Sequence, residues 1–115
     1  MFKLIFIVTN YNNVKFTEQM ICSLNKIKGS HYSLVVVDNA SNQAEVAKLR
    51  GLITDNVAVI FNQENVGYFE GLNVGIRYAK EKLQPADYYI IGNNDLIFPN
   101  DFGQQLASKR DIIDN

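Results

Sequence analysis

Four short apolar runs, each cut off by a break rich in asparagine and aspartate, constrain this chain more than any other feature. The first, KLIFIVT (3–9), is nearly all apolar and rich in β-branched and aromatic residues, the pattern of a strand buried on both faces. Asn10 to Asn13 end it with turn-forming residues. Residues 32–37 (YSLVVV), 57–61 and 88–91 repeat the pattern, ended by Asp38-Asn39-Ala40-Ser41-Asn42, Asn62-Gln63-Glu64-Asn65 and Gly92-Asn93-Asn94-Asp95. Between the runs, apolar residues fall at helical spacing. Thr17, Met20, Ile21, Leu24 and Ile27 predict a helix stopped by Gly29. Val46, Leu49 and Ile53 predict a second, with Asn42 and Glu45 set as a variant capping box. Leu72, Ile76, Ala79 and Leu83 share one face of a third, entered through the glycine and asparagine loop of 67–75. A weaker helical pattern follows Pro99, over about 101–109. This alternation predicts an α/β fold: a parallel sheet with helices on both faces, in three layers.

The 115 residues make one domain, 1–115, and 47% hydrophobic with 20% charged residues is ordinary for a folded chain. Such a core needs no disulfide or metal to close it. Eleven basic and twelve acidic residues leave a net charge of -1 without a basic cluster, which excludes the electrostatic footprint of a nucleic-acid binder. The longest apolar run, Leu4 to Val8, is too short to span a bilayer, and Met1-Phe2-Lys3 leads into it without the layout of a signal peptide. The single cysteine, Cys22, excludes an internal disulfide and a cysteine-built zinc site, and a reducing cytoplasm is the expected home. Inside its helix Cys22 reads as a small apolar filler, His31 as a surface residue of the turn before the second strand, and Tyr88 and Tyr89 as strand packing.

In a parallel α/β sheet, ligands bind outside the carboxyl ends of the strands. The breaks that begin at Thr9-Asn10-Tyr11-Asn12, Asp38-Asn39, Asn62 and Asn93-Asn94-Asp95 therefore share one rim. A turn also calls for asparagine and aspartate, so any single break has that simpler explanation. Asp38 and Asp95 are the acidic residues directly at strand ends. A carboxylate there can accept both hydroxyls of a ribose or donate oxygen to a hard divalent cation, with Asn93 or Asn94 beside Asp95 as uncharged partners for sugar hydroxyls. Gly67, Gly71 and Gly75 recur every four residues, a spacing that usually serves close helix packing. Neither G-x-G-x-x-G nor a G-x-x-x-x-G-K-[ST] phosphate loop is present.

The motifs I-V-T-x-Y-N (7–12), VVVDNAS (35–41), N-x-G-Y-x-x-G-x-N-x-G (65–75) and I-I-G-N-N-D (90–95) resemble, in order and spacing, the front half of a GT-A fold glycosyltransferase of the inverting family 2, rhamnosyltransferase-like members included. The resemblance covers residues 3 to about 100. It implies a Rossmann-like (GT-A) sheet and a nucleotide-diphosphate-sugar site. Thr9, Asn10 and Tyr11, with Asp38 and adjacent Asn39, would hold base and ribose. Asn65, Gly67, Gly71 and Asn73 would lie along the nucleotide. The family's D-x-D-like motif falls on Asn93-Asn94-Asp95, where Asp95 would bind Mg²⁺ or Mn²⁺ bridging the diphosphate, and where many relatives carry one or two Asp in place of Asn. The implied chemistry is attack of an acceptor hydroxyl, on a saccharide or lipid-linked acceptor, at the anomeric carbon. The implied setting is the cytoplasm, with the inner face of the membrane as a peripheral place of work.

The family's catalytic base lies well beyond the D-x-D-like motif. Asp101, Asp111 and Asp114 are too near that motif to fill the role, so the expectation is a donor-binding half without base or acceptor half. Two other readings stay open. A non-catalytic nucleotide-binding module accounts for the missing base. A flavodoxin-like regulatory domain needs a carboxylate at the end of the first strand, where Thr9-Asn10 offers none.

Overall fold

The computed structural model describes residues 2–28, 30–98, 101, 102, 105 and 106. Seven elements alternate: β1 (Phe2–Asn10), α1 (Val14–Leu24), β2 (Ser30–Asp38), α2 (Gln43–Arg50), β3 (Val57–Phe61), α3 (Tyr68–Lys82) and β4 (Tyr88–Asn93). The strands form one four-stranded sheet in the order β3-β2-β1-β4, and every pairing is parallel. The expected α/β architecture is present.

Alternation along each strand divides the core in two. Leu4, Phe6 and Val8 of β1, with Leu34 and Val36 of β2, face Val14, Met20 and Leu24 of α1 and Leu49 of α2. Ile5, Ile7, Val35 and Val37 face Leu72 and Ala79 of α3. Leu4 to Val8 have no more than 1% of their surface exposed, and each such side chain contributes about 1.5–3 kcal/mol relative to an exposed one. The strand-and-two-layers reading of β1 and β2 holds because both are central. The edge strands differ. Tyr89 and Ile91 of β4 point to the α3 side, where no described helix covers them, and stay 41% and 44% exposed. Tyr88 packs on Phe2, so strand packing holds for Tyr88 and not for Tyr89.

Local expectations hold where a local signal decides them. The Asn42 side chain caps α2 by accepting from the Glu45 N–H at 3.0 Å. Glu45 does not complete the box; its carboxylate accepts from the Val14 N–H at 3.4 Å and so serves the start of α1. The helix α1 stops at Leu24, short of Ile27, and α2 stops at Arg50, leaving Ile53 exposed. Cys22 is exposed rather than a core filler, because the buried stripe of α1 runs through Val14, Thr17, Met20 and Leu24 on the opposite side. His31 is exposed but lies within β2, which starts earlier than the apolar run. The helix expected over 101–109 lies largely outside the described residues; Phe98, Phe102 and Leu106 pack on the α1 side beneath Phe6. Among the described residues no helix is long and apolar enough to cross a membrane.

Helix α3 approaches the sheet closely. A Cβ built on Gly75 would stand 2.5 Å from Ile7 Cγ2 and 3.0 Å from Val37 Cγ2, so the absence of a side chain lets the helix backbone rest on β1 and β2.

Candidate functional site

Register brings the strand ends together. Thr9 pairs with Val37 and Asn93, Asn10 with Asp38, and Asp38 with Phe61, so all four strands end at one edge. The loops after β1 and β2 are stitched to each other. The Asn39 N–H donates to Asn10 O at 2.9 Å, the Asn12 N–H to Ser41 Oγ at 2.8 Å, and the Asn42 N–H to Asn12 Oδ1 at 2.8 Å. Asn12 (φ 50) and Ala40 (φ 63) both sit in the left-handed region, a cost of about 1–2 kcal/mol for alanine that the surrounding bonds over-determine.

A second, buried network lies under these loops. Asp38 is 1% exposed, and both of its oxygens are engaged: Oδ1 accepts from Asn10 Nδ2 at 3.0 Å and from the Ser41 hydroxyl, and Oδ2 accepts from the Ser41 N–H at 3.1 Å. Asn10 Oδ1 accepts from the Thr17 hydroxyl at 2.8 Å and from Asn94 Nδ2 at 3.2 Å. Asn94 Nδ2 shares its two N–H groups further with Thr17 Oγ1 at 2.9 Å and Asn13 Oδ1 at 3.1 Å, and Asn94 Oδ1 accepts from Asn13 Nδ2 at 3.1 Å. On the other side, Asn39 Oδ1 accepts from Asn62 Nδ2 at 3.0 Å while its Nδ2 donates to Gly67 O at 3.1 Å. An amide offers both donor and acceptor, so asparagine can tie the end of β3 to that of β2, and the end of β2 through β1 to that of β4, in two such groups without burying extra charge. This accounts for much of the asparagine at the strand ends.

Of the residues expected at the site, Asn10, Asp38, Asn39 and Asn94 are therefore buried braces. At the ends of β1 and β4, Thr9, Tyr11, Asn93 and Asp95 are the accessible ones. They line a hollow of about 180 Å³ together with Asn13, Phe16 and Asn94. Tyr11 and Phe16 are both exposed aromatic walls. Among the described residues, Asp95 is exposed and its carboxylate makes no hydrogen bond or ion pair. Asn65 shapes the loop before α3 through its Oδ1, which accepts from the Gly67 N–H at 2.8 Å; Gly67 turns there at φ 85. Gly71 is a contact glycine: a Cβ there would stand 3.0 Å from Thr9 Cγ2 and 3.1 Å from Asn39 Nδ2. Asn73 is exposed on α3 and bonds to none of the other rim residues.

The rim also holds Thr17, Asn13, Ser41 and Phe16, which sequence spacing does not mark as site residues. Thr17 and Phe16 lie in a helix, where a pattern of apolar period hides their role. Asn13 and Ser41 were in view as turn residues. A larger groove of about 500 Å³ lies along the outer face of α1, lined by Lys15, Glu18, Cys22, Lys26, Ile97 and Phe98 among others. It runs down the helix, away from the strand ends. No group of three His, Cys, Asp or Glu side chains forms a preassembled metal cage among the described residues.

A parallel, doubly wound sheet with a polar carboxyl-end rim defines a class, the Rossmann-like α/β proteins. The particular family follows from comparison. The sequence matches Glycosyl transferase family 2 over residues 5–111, and the chain belongs to that family. Comparison with curated proteins gives no match. Among solved structures, S. aureus TarS 1–349 in complex with UDP superposes with a TM-score of 0.73 at 22% identity, covering 96% of this chain and 32% of that 1–349 chain. The mannosyltransferase PcManGT from Pyrobaculum calidifontis, in complex with GDP-Man and Mn2+, gives 0.65 at 20% identity, covering 84% of this chain and 28% of that one. The fold is thus the GT-A type, and this chain spans about a third of the length of those two chains.

Proposed function

We propose that the rim binds the nucleoside diphosphate of a nucleotide sugar, as the donor-binding portion of an inverting glycosyltransferase. The observation that carries this is the free Asp95 carboxylate at the end of β4, beside a hollow walled by Tyr11 and Phe16. Family membership and the nucleotide-bound neighbours support it. The hollow is smaller than the roughly 300–1,000 Å³ of ordinary ligand pockets. It suits part of such a ligand, the rest lying across the open rim.

Tyr11 supplies a ring for the base, Thr9 and Asn93 supply polar groups for ribose or sugar hydroxyls, and Asp38, Asn39 and Asn10 fix the loops that present them. Asn65 and Gly67 shape the loop that flanks the nucleotide, and Gly71 lets the first turn of α3 lie against Thr9 and Asn39. Asp95 is a fitting single donor for Mg²⁺ or Mn²⁺, since such cations commonly take one or two carboxylates and complete their shell with phosphate and water. When bound there, the cation supplies charge neutralisation to the departing diphosphate.

Among the described residues no second carboxylate lines the hollow. Glu64 belongs to the loop after β3, three strand spacings from β4, or about 14 Å. The proton of an acceptor hydroxyl therefore has no base among the rim residues, and residues 1–115 alone bind donor without efficient transfer. That same observation favours the second reading, a non-catalytic nucleotide-binding module. The single cysteine fits a cytoplasmic setting.

Titration calorimetry with UDP, GDP and dTDP, with and without Mn²⁺, tests the proposal. Binding of at least one, strengthened by Mn²⁺ and no longer so in Asp95→Ala, is the expected result. No binding of any of the three refutes the nucleotide site. Robust turnover by residues 1–115 in a transfer assay refutes the missing base.

A further inference from the structure

We infer that Thr17, on the second turn of α1, is a positioning residue for Asp95. The inference rests on the nucleotide and cation reading above. Thr17 is wholly buried on the stripe of α1 that otherwise presents Val14, Met20 and Leu24 to the sheet. Valine has nearly the same shape and would suit that stripe better, so the hydroxyl calls for a reason. Both of its capacities are used. It donates to Asn10 Oδ1 at 2.8 Å and accepts from Asn94 Nδ2 at 2.9 Å, and Asn94 Nδ2 reaches Asn10 Oδ1 at 3.2 Å. Three side chains from β1, α1 and the end of β4 thus close a ring.

The ring matters because of where backbone pairing stops. The β1–β4 ladder ends at Thr9↔Asn93. Past that point Asn94 and Asp95 are held to the sheet by the Asn94 side chain, through Asn10, Thr17 and Asn13. Asp95 itself bonds to no described residue. Its place beside the hollow is therefore set one residue earlier, and Thr17 is the anchor that reaches across from the helix. Removing the hydroxyl leaves Asn94 two partners and Asn10 Oδ1 one. The turn is loosened, while the sheet and core are untouched. Groups that orient a metal-ligating carboxylate typically matter 10–100-fold for metal affinity.

The test compares Thr17→Val, Thr17→Ser and Ser23→Ala in the chain of residues 1–115. Ser23 lies on the same helix and is also buried, but it bonds the backbone of Phe98 away from the rim. The readout is the ratio of nucleotide affinity with and without Mn²⁺, measured by calorimetry well below each variant's Tm. Thr17→Val lowers that ratio by about 10-fold. Thr17→Ser, which keeps the oxygen, restores it, and Ser23→Ala leaves it unchanged even where its Tm falls as far. A Thr17→Val ratio equal to that of the unaltered chain overturns the inference, as does an equal fall in Ser23→Ala, which would mark a general loss of stability. If the unaltered chain binds nucleotide with no Mn²⁺ enhancement, the cation role of Asp95 fails and this inference fails with it, while nucleotide binding stands. If no nucleotide binds at all, the proposed function itself is refuted.

Discussion

Replacing Gly75 by alanine separates two meanings of the glycines spaced every four residues, close helix packing and contact with a nucleotide. The new Cβ would meet Ile7 Cγ2 at 2.5 Å and Val37 Cγ2 at 3.0 Å, against an optimum of roughly 3.5–4.0 Å between carbons. Neither neighbour can give way. Ile7 and Val37 are 0% exposed, β-branched and stiff at χ1, and they sit in the two central strands. The helix must lift instead, by about 1 Å, and a gap of that size forfeits about a quarter to a half of each lost contact along Leu72 and Ala79. Overpacking of this kind costs about 1–3 kcal/mol, while alanine in a helix interior returns about 1 kcal/mol. Contacts this close to rigid neighbours belong in the upper part of that overpacking range, about 2–3 kcal/mol, so the net expectation is a loss of about 1–2 kcal/mol. Urea denaturation reads it as a lower midpoint at unchanged slope. Gly51→Ala is the control, because its Cβ would meet only Lys48 O at an ordinary 3.4 Å and the backbone is right-handed there. That change should be neutral or mildly stabilising. A Gly75→Ala protein as stable as the unaltered one would falsify the close-packing account and return the glycine series to the ligand.

Adjacent asparagines should part company: Asn94→Ala costs about 2–3 kcal/mol, from several buried hydrogen bonds, and Asn93→Ala under about 0.5, since the Asn93 side chain is exposed and makes none among the described residues. The same denaturation series measures both, and similar losses would contradict the division into braces and free groups. Ala40→Gly relieves a left-handed alanine at about 1–2 kcal/mol against about 0.4–1 for the greater unfolded-state entropy of glycine, so a gain of up to about 1.5 kcal/mol is expected. A fall in thermal midpoint would refute it. Burial raises the Tyr32 phenol above its ordinary value, partly opposed by a hydrogen bond with Asn56. A raised folded value gives stability that is complete below the unfolded value near 10 and is lost as pH climbs through the folded one. Stability profiles above pH 10 should therefore fall less steeply in Tyr32→Phe than in the unaltered chain.

The amino-acid sequence settled the order of elements, because strands buried on both faces must be apolar in unbroken runs and helices must repeat near 3.6. It settled the cap on α2, since Asn42 and Glu45 are three residues apart and need nothing distant. It also placed Asp38, Asn94 and Asp95 at strand ends on one edge, because parallel strands share a direction. What it could not settle was which of those polar groups are free. Asp38 and Asp95 look alike in sequence, yet one has both oxygens bound under 1% exposure and the other is open. Cys22 and Thr17 sit on one short helix, and only its rotation against the sheet turned Cys22 to solvent and Thr17 into the rim. The β4 strand ran two residues past its apolar stretch because Thr9 of β1 was there to pair with Asn93. Residues such as Asn10, Thr17 and Asn94 meet across separations of 7 to 84 positions. Hydrogen bonds formed over such distances depend on register and helix phase, which packing of the whole sheet decides and no local run of residues can.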